Sequence, residues 1–426
     1  MPTITVAGAH GSTVTLNFDS SANAALASQI AAAITAGVAS GAIVPAVDTD
    51  GPPPPLPAGK TGEFVQTKDG LTVLPAGYDA LVVTAHEAVV FGSGDANEAV
   101  LSSRGDLTFI ATGGSGTVAA GGGDNRIVIP LGDNGDWSIN TGNGDDSVLA
   151  LGGGNDTISA GAGDNAIQLG AGNDVVQSSG DDTVRAGSGA ATIAAIGKHA
   201  DLIYGGSGLL TFVGGAGPAT VLGGTGSETV FGGGGESLII GGGAGNNLLF
   251  AGKGEATLVG GGTGDQLFAA GSKEQLLRAG AGNETLFGGF ASGNDTFQAG
   301  SGKDQIIGGS GNDTLVAGTG AATMSGGLGS DRFLFIKGAA GGTELIQDFT
   351  PGSDLVALQG YGPHAIANAL KTQTVSGGSV TITLSDSTQV TFAGITSLTG
   401  ADFLRGGGDG DHDHGHHDHD HDHDHH

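Results

Sequence analysis

The chain has 426 residues, 87 of them glycine and none cysteine. Glycine is about three times as frequent as in ordinary proteins, and without cysteine neither disulfides nor thiolate metal sites can form. Acid outnumbers base by 43 to 14, a formal charge of −29, which repels phosphate backbones and anionic bilayers and excludes nucleic acid as an expected partner.

Only 13% of residues are charged and 38% are hydrophobic, unlike a disordered chain. No Gly-X-Y period runs through the sequence, so it is not collagen. The glycine must serve repeated tight turns.

Residues 1–44 read as a small α+β head, with short strands around Ile4–Val6 and Thr13–Phe18 followed by a helix. The N-terminus has no basic stretch leading into an apolar core, so no cleaved export leader is expected. Leu26, Ile30, Ile34 and Val38 lie at i+4 spacing, the stripe of an amphipathic helix and not of a membrane span. Residues 45–59, with Pro52-Pro53-Pro54-Pro55, predict a stiff polyproline linker that holds the head away from the rest of the chain. Residues 60–140 read as a degenerate solenoid start. Apolar triplets such as Leu81-Val82-Val83, Val89-Val90-Phe91 and Leu107-Thr108-Phe109 recur there between glycines and small polar residues.

Over residues 141–335 the rhythm becomes a nonapeptide. Gly153-Gly154-Asn155-Asp156-Thr157-Ile158 and Ala171-Gly172-Asn173-Asp174-Val175-Val176 are examples, and Gly308-Gly309-Ser310-Gly311-Asn312-Asp313-Thr314-Leu315-Val316 fits G-G-x-G-x-D-x-U-x (U apolar) throughout. This pattern resembles the RTX, or haemolysin-type calcium-binding repeat, family. The resemblance implies an all-β fold, a parallel β-roll or β-helix solenoid in which each nonapeptide is a glycine turn plus a short strand and two complete a coil. A three-residue strand buries too little alone, whereas stacked copies bury a continuous thin core. Residues 80–335 would then make about fourteen coils and a rod of roughly 65–70 Å.

The resemblance also implies calcium, several ions, each held between successive turns by backbone carbonyls and the repeat's aspartate. Aspartates eighteen residues apart would bracket one ion. Asp156 and Asp174 form such a pair, and Asp295, Asp313 and Asp331 a stack of three. Asp304 lies on the opposite edge, with Ala322 at its partner position. Asp146, Asn165, Asp182 and Asp201 make a ladder with slipped spacings of 19, 17 and 19. The competing reading is that these aspartates satisfy turn backbone groups as Asx-turns. In the middle, Leu210, Ala219, Glu228, Ser237, Asn247, Ala256, Gln266, Gln275 and Glu284 fill the equivalent positions. The metal-binding acid reads as lost there, leaving backbone ladders and packing to hold those coils.

Residues 336–405, containing Glu344-Leu345-Ile346-Gln347-Asp348-Phe349 and strands at Val380–Leu384 and Gln389–Phe392, resemble the C-terminal module of type I-secreted RTX proteins. That implies a β-rich cap carrying an uncleaved signal for the type I export machinery of a Gram-negative cell. It also implies folding by external calcium after export, because metal-binding free energy becomes folding free energy. Residues 406–426 read as a disordered His/Asp-rich tail. His412, His414, His416, His417, His419, His421 and His423, alternating largely with aspartate, predict loose capture of zinc, nickel or copper.

No catalytic constellation is evident. His86-Glu87-Ala88-Val89-Val90 starts like a zinc-protease motif, but Val90 stands where the second histidine must be, so no enzyme is expected. The reading is a secreted, calcium-binding structural protein that assembles with itself, head to tail or laterally, at the cell surface or in extracellular matrix. An adhesin-like module for extracellular glycans is the alternative, and a β-helix polysaccharide-modifying enzyme the third.

Overall fold

Each short strand points one apolar residue inward between two outward ones, and that alternation builds the molecule. A computed structural model describes residues 1–243 and 245–405. Strands stack in parallel into two facing sheets. Among the described residues sheet I has twenty strands and sheet II sixteen, successive rungs of each sheet alternating along the chain. The inward column of sheet I runs through Ile158, Val176, Ile193, Phe212, Val230 and Leu249; that of sheet II runs through Val148, Ile167, Val184, Ile203, Val221 and Ile239. All twelve side chains are buried. The result is an all-β parallel solenoid of about 17 turns.

The head contains the antiparallel hairpin β1 (Thr3–Ala7) and β2 (Thr13–Asn17), then helix α1 (Ser21–Ser40). Ser20 caps α1 by accepting the Asn23 N–H at 3.1 Å, and Gly41 ends it at φ 70°. By length and composition α1 could cross a membrane. Here its Ala27, Ile30, Ala31 and Ile34 pack on Val65, Ala80, Val82, Leu101 and Ala119, the outer face of the first rungs of sheet I. Burying an isoleucine in this way contributes about 1.5–3 kcal/mol.

The expected linker is instead part of the stack. Strand β3 (Ile43–Val47) pairs in parallel with β4 (Thr61–Gln66), so the first solenoid rung begins inside the proline-rich stretch. The segment between them lies along the stack: the Tyr78 hydroxyl donates to the Pro54 carbonyl at 2.7 Å, and Leu56 joins the core. The head is docked, not held away, because the apolar stripe of α1 needs a partner and the outer face of sheet I offers one.

At the other end, strand Thr343–Ile346 pairs with Gln389–Phe392, which continues antiparallel into Ser379–Thr383 and Thr374–Ser376. A helix, α2 (Ala365–Lys371), which the sequence pattern does not announce, packs against this hairpin. The last strand of sheet II, Leu355–Gln359, is covered where the Leu404 N–H reaches the Val356 carbonyl at 2.8 Å.

Candidate functional site: the carboxylate ladders

Where a glycine turn enters a strand, the residue two before the inward apolar side chain is itself turned inside. In sheet II this position is held in register by Asn125, Asp146, Asn165, Asp182 and Asp201 early on, and by Gln275, Asp295, Asp313, Asp331 and Asp354 late. In sheet I it is held by Asp156 and Asp174, then by Glu228, Asn247, Asp265, Glu284 and Asp304. The uneven spacings of the early ladder are absorbed in the turns and leave its register intact. All of these side chains are buried.

One rule joins them. Except at Asp201, Oδ1 of each aspartate accepts the backbone N–H of the equivalent residue one coil earlier. Asp295 donates to Asp313 at 2.8 Å, Asp313 to Asp331 at 2.9 Å, and Asp156 to Asp174 at 3.0 Å. The neighbouring exposed position runs the other way, with Asn312 donating to Oδ1 of Asn294 and Ser330 to Oδ1 of Asn312, both at 2.8 Å. These aspartates therefore do satisfy turn backbone groups, through Oδ1.

The second oxygen separates two classes. In Asp182, Oδ2 accepts from the N–H groups of Ser179 and Gly180 and lies 2.6 Å from the Ser178 hydroxyl, whose single proton serves either it or Oδ1 of Asp201. Asp304 is satisfied at both oxygens, by Glu284 and Gly300. In contrast, Oδ2 of Asp146, Asp295, Asp313 and Asp331 is buried without a hydrogen-bond partner. An orphaned buried carboxylate oxygen is costly unless a cation meets it.

Electrostatics point the same way. Burial pushes the Asp295, Asp313 and Asp331 carboxyls up to about 6, helped at Asp313 by the charge of Asp295 and at Asp331 by Asp354, Asp313 and Asp348. Asp156 is likewise pushed to about 6, by burial and then by the charge of Asp174. Asp146 reaches about 7 through burial. The turns leave no space for side chains beside these oxygens: a Cβ on Gly308 would lie 2.6 Å from Oδ2 of Asp313, and one on Gly326 2.3 Å from Oδ2 of Asp331.

Among the described residues no three acidic or histidine side chains converge on one point. A cation in the Asp295–Asp331 stack would therefore take its carboxylate oxygens from adjacent rungs and the remainder from glycine carbonyls. An all-oxygen set of that kind suits a hard ion such as calcium. The residues that fit are Asp295, Asp313 and Asp331. Asp146 fits on its orphaned oxygen, whereas Asp182 and Asp304 already spend both oxygens on protein donors. The structure stacks Asp156 beside Asp174.

A family model for the RTX calcium-binding nonapeptide repeat (four copies) matches residues 141–176, 211–239, 222–258, 239–267 and 291–324. The chain carries RTX calcium-binding repeats. No curated protein matches it. The RTX match includes the central coils, where the sequence spacing reads as having lost its acid. The structure corrects one rung: Asp265, not Gln266, is the rung residue, buried in the ladder of sheet I with the expected Glu228 and Glu284. Oδ1 of Asp265 accepts the Asn247 N–H at 2.8 Å while Oδ2 takes Gly261 and Gly262, so this RTX rung is closed by hydrogen bonds. Asp354, also missed by the spacing, extends the late ladder to four aspartates.

His86 is exposed, and its backbone N–H is bound by Asp69 at 2.7 Å. His199 lies 3.8 Å from Asp181 at the surface. The zinc, nickel or copper expectation rests on His412 to His423, which lie outside the described residues.

Proposed function

We propose that this calcium-binding RTX solenoid is a secreted structural protein that assembles with itself outside a Gram-negative cell, at the surface or in matrix, after export by a type I machinery. RTX repeat proteins are typically secreted, and the orphaned carboxylates of the late ladder suit a chain that meets abundant calcium only after export. Calcium between Asp295, Asp313 and Asp331 would supply the positive charge that lets those carboxylates ionise together. The chain's own groups hold the turns in register around it.

The observation carrying the assembly reading is the N-terminal edge of sheet II. Strand β5 (Gly70–Val73) pairs on one side only, and its Leu71 and Val73 are 65% and 63% exposed. An apolar edge strand without a partner is a template for another chain. Sedimentation velocity and electron microscopy of the full chain, in calcium and in chelator, test this. Calcium-dependent ordered polymers that Leu71→Lys shortens are expected, and monodisperse rods at all concentrations would overturn it.

A further inference from the structure

The outward column of sheet I that α1 covers at Val65, Val82, Leu101 and Ala119 turns polar at Asn140, Ser159 and Gln177. It becomes apolar again farther along, at Val213, Phe231, Phe250, Phe268, Phe287 and Ile307. Nothing in the described chain covers this second stretch. Val213 is 44% and Phe231 40% exposed, and Phe290, packed edge-on against Phe287 with ring centres 5.3 Å apart, is 65% exposed.

The rings do not form a sugar platform. Phe231 and Phe250 stack with centroids 4.8 Å apart and planes 12° apart, and Phe250 and Phe268 at 4.4 Å and 9°. Their faces are spent on one another along the rod, leaving edges outward, whereas stacking on a sugar needs a free ring face. The stack ends at Phe287, which turns edge-on to Phe268 with ring centres 6.0 Å apart and planes 73° apart.

We propose that this phenylalanine strip is the lateral interface with a second copy of the same chain, the two strips packed face to face about a twofold axis. The inference deepens the assembly reading and rests on it. Charge is the first argument. The outward residues beside the strip, Thr211, Thr229, Leu248, Gln266 and Thr285, carry none, in a chain of formal charge −29. Two copies repel least where neither presents an acid. Area is the second. Six rungs at ~4.8 Å and a face ~20 Å wide bury roughly 1,200 Å² over two copies, the lower bound for a stable protein interface at about 1,200 Å². Continuity is the third, because the same column is already an apolar docking face where α1 lies on it.

The test is sedimentation equilibrium of the full chain in calcium, comparing wild type with Phe250→Thr/Phe268→Thr. Threonine already stands on this face, and circular dichroism checks that the variant folds. At least about tenfold weaker lateral association is expected for the variant. The chain lacks cysteine, so Leu248→Cys reports proximity directly: it should cross-link to its mate on oxidation, while Leu238→Cys, on the outer face of sheet II, should not. Polymers unaffected by the double threonine variant would overturn the strip and leave end-on assembly standing. A monomeric wild type would overturn both and leave the strip to a different partner.

Discussion

Asp331 donates its backbone N–H to Oδ1 of Asp354 at 3.0 Å, across 23 residues of chain instead of the usual 18. The ladder thus runs unbroken from the RTX repeats into the cap, and Oδ2 of Asp354 also holds the Thr350 N–H at 2.8 Å. Asp354→Ala strands two backbone donors, one of them buried with Asp331, at a cost of about 1–3 kcal/mol. Chemical denaturation should show that loss, and Asp354→Asn, which keeps an acceptor, should recover about half of it.

Asp313→Asn separates the ladder from the metal. The amide oxygen can still accept the Asp295 N–H, so the rung holds, but one charge leaves a stack in which Asp295 raises Asp313 and Asp313 raises Asp331. Without calcium the variant should melt at the same or a higher temperature than wild type. With calcium, the rise in Tm should shrink, because a ligand bound only by the native state stabilises in proportion to its affinity. Asp304→Asn, whose carboxylate is already satisfied, should leave the calcium response unchanged. An equal loss in both variants would mean the stack has no special role.

Glu63 makes the metal-free fold sensitive to pH. On β4, opposite Ala80, it is fully buried with neither oxygen hydrogen-bonded, and burial pushes it up to about 7 from 4.5. Its native pKa is raised, so between about 4.5 and 7 the folded state binds more protons than the unfolded one. Stability therefore falls as pH rises through that window and is not regained above it. Glu63→Gln stays neutral and should stabilise the protein at pH 8 by up to about 3 kcal/mol. At pH 4 it should have little effect. Thermal melts in chelator at both values measure this.

The solenoid was legible because its signal is periodic: inward apolar residues such as Ile158 and Val176 stand two after an aspartate, with glycines before it. The same Asp-x-apolar spacing marks Asp265-Gln266-Leu267 and Asp354-Leu355-Val356. Counting from repeat to repeat passes over both, because inserted turn residues shift the count without shifting the register. Docking of α1 was not legible. The stripe of α1 and the outer residues Val82 and Leu101 each read as apolar, but nothing local says that they meet across the proline segment. The division between orphaned and satisfied carboxylates was equally hidden, since it depends on Ser178 reaching Asp182 and Asp201 from the end of a strand in the other sheet.

Close stacking of turns predicts a sharp ranking among glycines. A Cβ on Gly161 would lie 1.4 Å from the carbonyl oxygen of Gly142 on the preceding coil, so here the requirement is space and not backbone conformation. Gly132 has the opposite character: φ is +88° and nothing lies within 4 Å. Gly400 has neither constraint. Gly132→Ala should cost about 1–2 kcal/mol, the penalty of a left-handed backbone. Gly161→Ala must pry two rungs apart and break ladder hydrogen bonds on both sides, so its cost should exceed about 3 kcal/mol. Gly400→Ala should be close to neutral. Urea denaturation of the three variants gives the order directly, and a Gly161 variant as stable as the Gly400 variant would mean the coils are not packed backbone against backbone.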